Sequence, residues 1–193
     1  MPNMHPKWIT LLSLLGLAAG CGYGLKRTGA PVVPPGWVVF DRSDLEFSFA
    51  TPPEMPVSDL TPTVIRNLKI KGYKNPSLMH SFTAVKGNPP GLTILVQQLK
   101  SSALVSTDQL TDSVMKAAMK SGRFASAPEH HEESTPMGRV VEISGEGVFT
   151  RRKAKSVTFL WRGNGKVIEA SVFGFDQDPK DVAESLAQSL CLK

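Results

Sequence analysis

Residues 156–162 and 166–175 are two runs of β-branched and aromatic residues separated by Gly163-Asn164-Gly165. Asn-Gly between two such runs is the strongest short-range signal for a tight β-hairpin, because both central residues of the favoured turn need positive φ. The chain is thereby committed to antiparallel pairing near its C-terminal end. A third strand is expected over Gly138–Thr150. Around Leu92, Ile94 and Val96 apolar side chains fall on both faces, which places that strand in the interior of a sheet. Leu45, Phe47 and Phe49 alternate with Glu46, Ser48 and Ala50, the pattern of a strand with one buried face, and Thr51-Pro-Pro-Glu-Met-Pro56 stops it. The stretch from Val64 to Lys71 fits a helical turn or a strand.

Two segments carry helical periodicity. Ser106-Thr-Asp-Gln109 has the form of a capping box, Leu110, Val114, Ala118 and Met115, Met119 form an apolar stripe, and Gly122 is placed to end the helix. Asp178-Pro179 supplies an N-cap and a first-turn proline to a second helix with Val182, Leu186 and Leu190 on one face. The expected fold is therefore α+β: an antiparallel sheet of about six strands with two amphipathic helices packed on it. With 193 residues, 41% hydrophobic and 20% charged, the chain has material for one soluble core and a leader. The net charge of +5 falls to +4 without residues 1–20, which hold Lys7 and no acid, and its charges of both signs are interspersed. No basic stripe or motif for nucleic acid is visible.

The leader is distinctive. Trp8–Gly20 is apolar but shorter than the roughly 20 residues a spanning helix needs, so it reads as a signal-peptide core. Leu17-Ala-Ala-Gly-Cys21 resembles the lipobox of bacterial lipoproteins, with Ala18 standing where that family most often has leucine. The resemblance implies cleavage before Cys21, a diacylglycerol thioether and palmitate-type acylation at that residue, and attachment to a membrane. Since Gly22 is not the aspartate that retains enteric lipoproteins in the inner membrane, it also implies the outer membrane, facing the periplasm. Residues 21–36, rich in glycine and proline, form a linker able to reach about 45 Å at about 3.1 Å per residue. The expected organisation is a signal peptide over 1–20, lipidated cysteine and linker over 21–36, and one domain over 37–193. Lipidation of Cys21 would preclude a disulfide with Cys191, which closes an apolar stripe and is expected to be buried and inert.

The order of elements in the body, with an opening segment ending Phe-Ser-Phe-Ala-Thr-Pro-Pro, a middle helix, a long hairpin and a closing helix, resembles the superfamily of the photosystem II extrinsic protein PsbP and the bacterial lipoprotein DcrB. The similarity runs over residues 37–192. It implies a sheet with helices on its faces and a non-catalytic role, binding or stabilising a partner in the envelope.

The chemistry visible in the sequence is sparse. Glu129-His130-His131-Glu132-Glu133 has metal-ligand residue types, and in an extended conformation Glu129, His131 and Glu133 share a face. Thr135 occupies the place of the second histidine of a metalloprotease helix, so the segment is expected to be a solvated connection. Gly163-Asn-Gly-Lys166 lacks the spacing of a phosphate loop, and no nucleophile elbow is present. No enzymatic activity and no cofactor are expected. Arg151, Arg152, Lys153 and Lys155 form the densest positive run and are expected at an exposed turn, where they would meet an envelope protein, anionic lipid or glycan. The alternative is an envelope hydrolase or metal-binding protein built on His130, His131 and the neighbouring glutamates.

Overall fold

The computed structural model describes residues 29–72, 79–100, 107–120, 123–163 and 165–192. The leader, Cys21, Ser106 and Gly122 lie outside them. In chain order the elements are β1 (Val38–Arg42), a 3-10 turn (Ser43–Leu45), β2 (Phe47–Thr51), β3 (Val57–Asp59), α1 (Thr61–Ile70), β4 (Met79–Lys86), β5 (Leu92–Lys100), α2 (Thr107–Lys120), β6 (Glu129–Thr135), β7 (Gly138–Phe149), β8 (Arg152–Gly163), β9 (Lys166–Gly174), α3 (Lys180–Ser189) and β10 (Cys191–Leu192). The fold is α+β, as expected, but its described strands form two sheets. A seven-stranded sheet runs β3-β4-β5-β9-β8-β7-β6 and a three-stranded one runs β1-β2-β10. Every pairing is antiparallel.

The expected hairpin joins β8 and β9, with Gly163 opposite Lys166 and Gly165 at φ +68°; Asn164 lies outside the described residues. Its strands β8 and β9 lie in the interior of the large sheet, as does β5, which explains the apolar character of both faces of β5. One face carries Ile94, Val96, Phe159, Trp161, Ala170 and Val172; these bury against Phe47 and Phe49 of the small sheet and Leu186 and Leu190 of α3. The opposite face carries Ile143, Leu160 and Val167 and is covered by α1, through Val64 and Leu68, and by α2, through Leu110, Val114 and Ala118. The helices therefore do cover one sheet, on opposite faces.

Several local expectations need correction. The ambiguous stretch from Val64 is helical, with Pro62 in its first turn. Ser48 and Ala50 are buried together with Phe47 and Phe49, because β2 is the middle strand of its sheet and Ser189 of α3 closes over it: the backbone N–H of Ala50 donates to Ser189 Oγ at 3.0 Å. Glu46 lies in no strand and adopts φ 57° as the 3-10 turn ends. Met119 is 40% exposed, so the α2 stripe is narrower than its sequence implies. Cys191 is buried but belongs to β10, paired with Ser48, rather than to the helix. The N-cap of α3 is Pro179 rather than Asp178, because the Pro179 carbonyl accepts the first helical hydrogen bond, from Ala183 N–H; Asp178 stands one residue earlier and its carboxylate accepts from the Lys180 N–H at 3.0 Å.

A charge pair lies within the helix-covered face. Arg123 Nη1 donates to Glu169 Oε1 at 2.8 Å, with side chains 4% and 1% exposed. Arg123 Nη2 also donates to Ser171 Oγ at 2.7 Å and to Thr158 Oγ1. The guanidinium rests 4.9 Å from the centroid of the Phe173 ring. Gly147 makes this possible: a Cβ there would stand 1.6 Å from the carbonyl oxygen of Arg123.

Candidate functional site

Two groups of side chains stand out. The first is built by β6 and β7. The segment expected to be a connection is instead a seven-residue edge strand, because Pro136-Met137 turns the chain and places Thr135 opposite Gly138. This register sets His131 opposite Glu142, and Glu133 follows two residues after His131 on the same face. His131 Nε2 lies 3.0 Å from Glu133 Oε1 and 3.8 Å from Glu142 Oε2. One ligand atom from each of the three residues falls within 4.8 Å of the other two.

The three differ in environment. The imidazole of His131 is 53% exposed, whereas the Glu142 side chain is 7% exposed. Among the described residues, the Glu142 carboxylate has no ion pair besides His131 and accepts no hydrogen bond. Burial pushes the Glu142 carboxyl above the usual carboxylate range, and the charge of Glu133 pushes it in the same direction. His131 and Lys180 of α3 oppose this, while Glu184 adds to it. Of the residues singled out in the sequence, Glu129 shares the face but stands outside the group, His130 faces the other side, and Glu132 pairs with Arg139 at 3.4 Å. Glu142 was not legible as a member. The missing signal was the register: once 129–135 and 138–149 are joined as a hairpin, position 142 is the partner of 131.

The second group is the basic turn. Phe149 pairs with Arg152 across Thr150-Arg151, whose φ values of +50° and +68° give the turn its reversal. The four charges are not equivalent. Arg152 is half-buried: Nη1 donates to the Pro90 carbonyl at 2.6 Å, Nη2 pairs with Asp176 at 3.2 Å, and the guanidinium stacks 4.5 Å from the Phe175 centroid. Lys155 reaches Asp178 at 3.4 Å. Lys153 is exposed and enters no ion pair among the described residues. Uniform in sequence, the run thus faces acids supplied by the loop between β9 and α3. Of the run, Lys153 and Lys155 line an open cleft of about 540 Å³, together with Glu146, Phe175, Asp176 and Asp178. At the other end of α3 the N–H of Val32 donates to the Gln188 carbonyl at 2.9 Å, so the described segment that precedes β1 meets the domain there.

No helix among the described residues is long and apolar enough to cross a membrane. No protein-family model matches the chain, and no curated protein matches it by sequence. Among solved structures it is similar to cyanobacterial PsbP (CyanoP) from Synechocystis sp. PCC 6803, at 12% identity and TM-score 0.56, over 93% of this chain and 99% of that one. It is more distantly similar to LpqN, involved in cell envelope biogenesis of Mycobacterium tuberculosis, at 9% identity and TM-score 0.37, over 90% of each chain. The first likeness shows a PsbP-like fold, in agreement with the resemblance in the sequence. The second is too remote to bear on fold or function.

Proposed function

We propose that this chain is a lipoprotein of the bacterial cell envelope, acylated at Cys21 and held at the outer membrane by its linker. Its PsbP-like domain binds or stabilises an envelope partner and is not an enzyme. The observation that carries the partner-binding part is the arrangement around α3. The described segment that precedes β1 docks at the C-terminal end of this ten-residue helix, and the charged cleft with its basic turn lies at the N-terminal end. The two are separated by roughly 15 Å at 1.5 Å per residue. A tether at one end leaves the cleft available to a protein, anionic lipid or glycan, and tethering raises the effective concentration of a weak contact. Arg152 is held by the fold and Lys155 reaches Asp178, so Lys153 is the side chain offered to a partner, with Arg151 at the tip.

A photo-crosslinking residue placed at Lys153 in the full chain, in intact cells, tests this reading. A discrete crosslinked species is expected at Lys153 and not at Lys116, an exposed position on the far side of α2. The absence of any species from Lys153, or the same species from both positions, would overturn it.

A further inference from the structure

We infer that His131, Glu133 and Glu142 form a binding site for one divalent transition-metal cation of the zinc type. The geometry is already close to coordination. A tetrahedral ion with bonds of about 2.1 Å to nitrogen and oxygen holds its ligand atoms about 3.4 Å apart. The two separations from His131 Nε2, 3.0 Å to Glu133 and 3.8 Å to Glu142, bracket that value. Small side-chain rotations would bring the third pair, now within 4.8 Å, to the same spacing.

The chemistry agrees with the geometry. Two carboxylates balance the charge of a divalent cation, and a neutral imidazole selects a borderline ion over magnesium or calcium, which demand six or more oxygens. Glu142 is the independent observation. Its side chain is more than nine-tenths buried, aimed at His131, and accepts no hydrogen bond among the described residues. The exposed side of His131 leaves open positions for water or a partner's ligand. Lys180, on the facing helix, is the one cation acting on Glu142 from α3, and it is engaged with Glu184 at 3.8 Å. The inference is independent of lipidation and of the cleft beside the basic turn.

The test uses the detergent-solubilised full chain, stripped with chelator and titrated with zinc chloride by calorimetry. The wild type is expected to take up one zinc ion per chain. His131→Ala and Glu142→Gln should each weaken binding at least tenfold, whereas His130→Ala, on the other face of the same strand, should leave it unchanged. His131 is half exposed and Glu142→Gln keeps its shape, so both variants are expected to fold, as circular dichroism would show. If either unfolds, Glu133→Gln serves in its place. No uptake by the wild type, or equal uptake by wild type and ligand variants, would overturn the assignment.

Discussion

Replacement of Glu169 by alanine should be among the most damaging single changes available in the described core. Its carboxylate is the only anionic partner of Arg123 among the described residues, and both side chains are almost completely enclosed, at 1% and 4% exposure. Deleting one partner leaves a guanidinium buried without a counter-charge, which costs about 3–5 kcal/mol. Thr158 and Ser171 continue to accept from Nη2, so the lower part of that range is expected, about 3–4 kcal/mol. Against a total stability of about 5–15 kcal/mol this is a large fraction. The pair itself is a different quantity. Arg123 Nε and Glu169 Oε2 find no partner among the described residues, so the desolvation of the two ions is incompletely repaid. The double replacement Arg123→Met with Glu169→Leu should accordingly lie well above the sum of its parts, close to wild type. Urea unfolding followed through the fluorescence of Trp161, buried at 1% exposure, would measure both. With a slope of about 2 kcal/mol per molar, Glu169→Ala should lower the midpoint by about 1.5–2 M. A loss below about 1 kcal/mol for Glu169→Ala, or a double variant as damaged as the two singles added, would refute the reasoning.

Three further outcomes follow from local structure. Asp178→Ala should lower stability by about 1 kcal/mol through loss of the hydrogen bond that its carboxylate accepts from the first N–H of α3, read from the same unfolding curves. The Lys180 N–H, and then Lys155, hold the Asp178 carboxyl below its usual range. The stabilisation is therefore present above the unfolded carboxyl value, near pH 4, and is lost as pH falls through the lower folded value; Asp178→Asn should flatten this acid limb of a pH titration of stability. Thr150-Arg151→Asn-Gly should raise stability by about 1 kcal/mol, a midpoint about 0.5 M higher at the same slope, because both positions have positive φ and a β-branched residue occupies the first.

The parts of this fold legible in the sequence are those where periodicity and turn chemistry agree. The Asn164-Gly165 hairpin, the central position of β5 and the amphipathic faces of α2 and α3 are of this kind. The small sheet was hidden because β10 has only two residues and pairs with β2 across 143 positions of sequence, Cys191 with Ser48. Strand β6 was hidden because an edge strand of Glu and His has no apolar face to mark it. With it went Glu142, whose membership of the His131 group depends on register alone. The basic run was only partly legible as a turn: Arg151 stands in it, but Arg152, Lys153 and Lys155 belong to β8, which pairs with β7 from Arg152 onward, and the acids that answer them, Asp176 and Asp178, lie in another loop that only the fold brings there.

Mass spectrometry of the amino-terminal tryptic peptide of the membrane-extracted protein tests the proposed anchoring most directly. Acyl chains contribute about 0.8 kcal/mol per buried methylene, so two or three chains suffice for firm attachment. The expected peptide begins at Cys21, ends at Lys26, and carries diacylglycerol on the cysteine sulfur, while Cys21→Ser protein remains an unprocessed precursor or leaves the membrane fraction. A mature chain beginning at another residue, or an unmodified Cys21 in a protein still bound to membranes, would contradict the account.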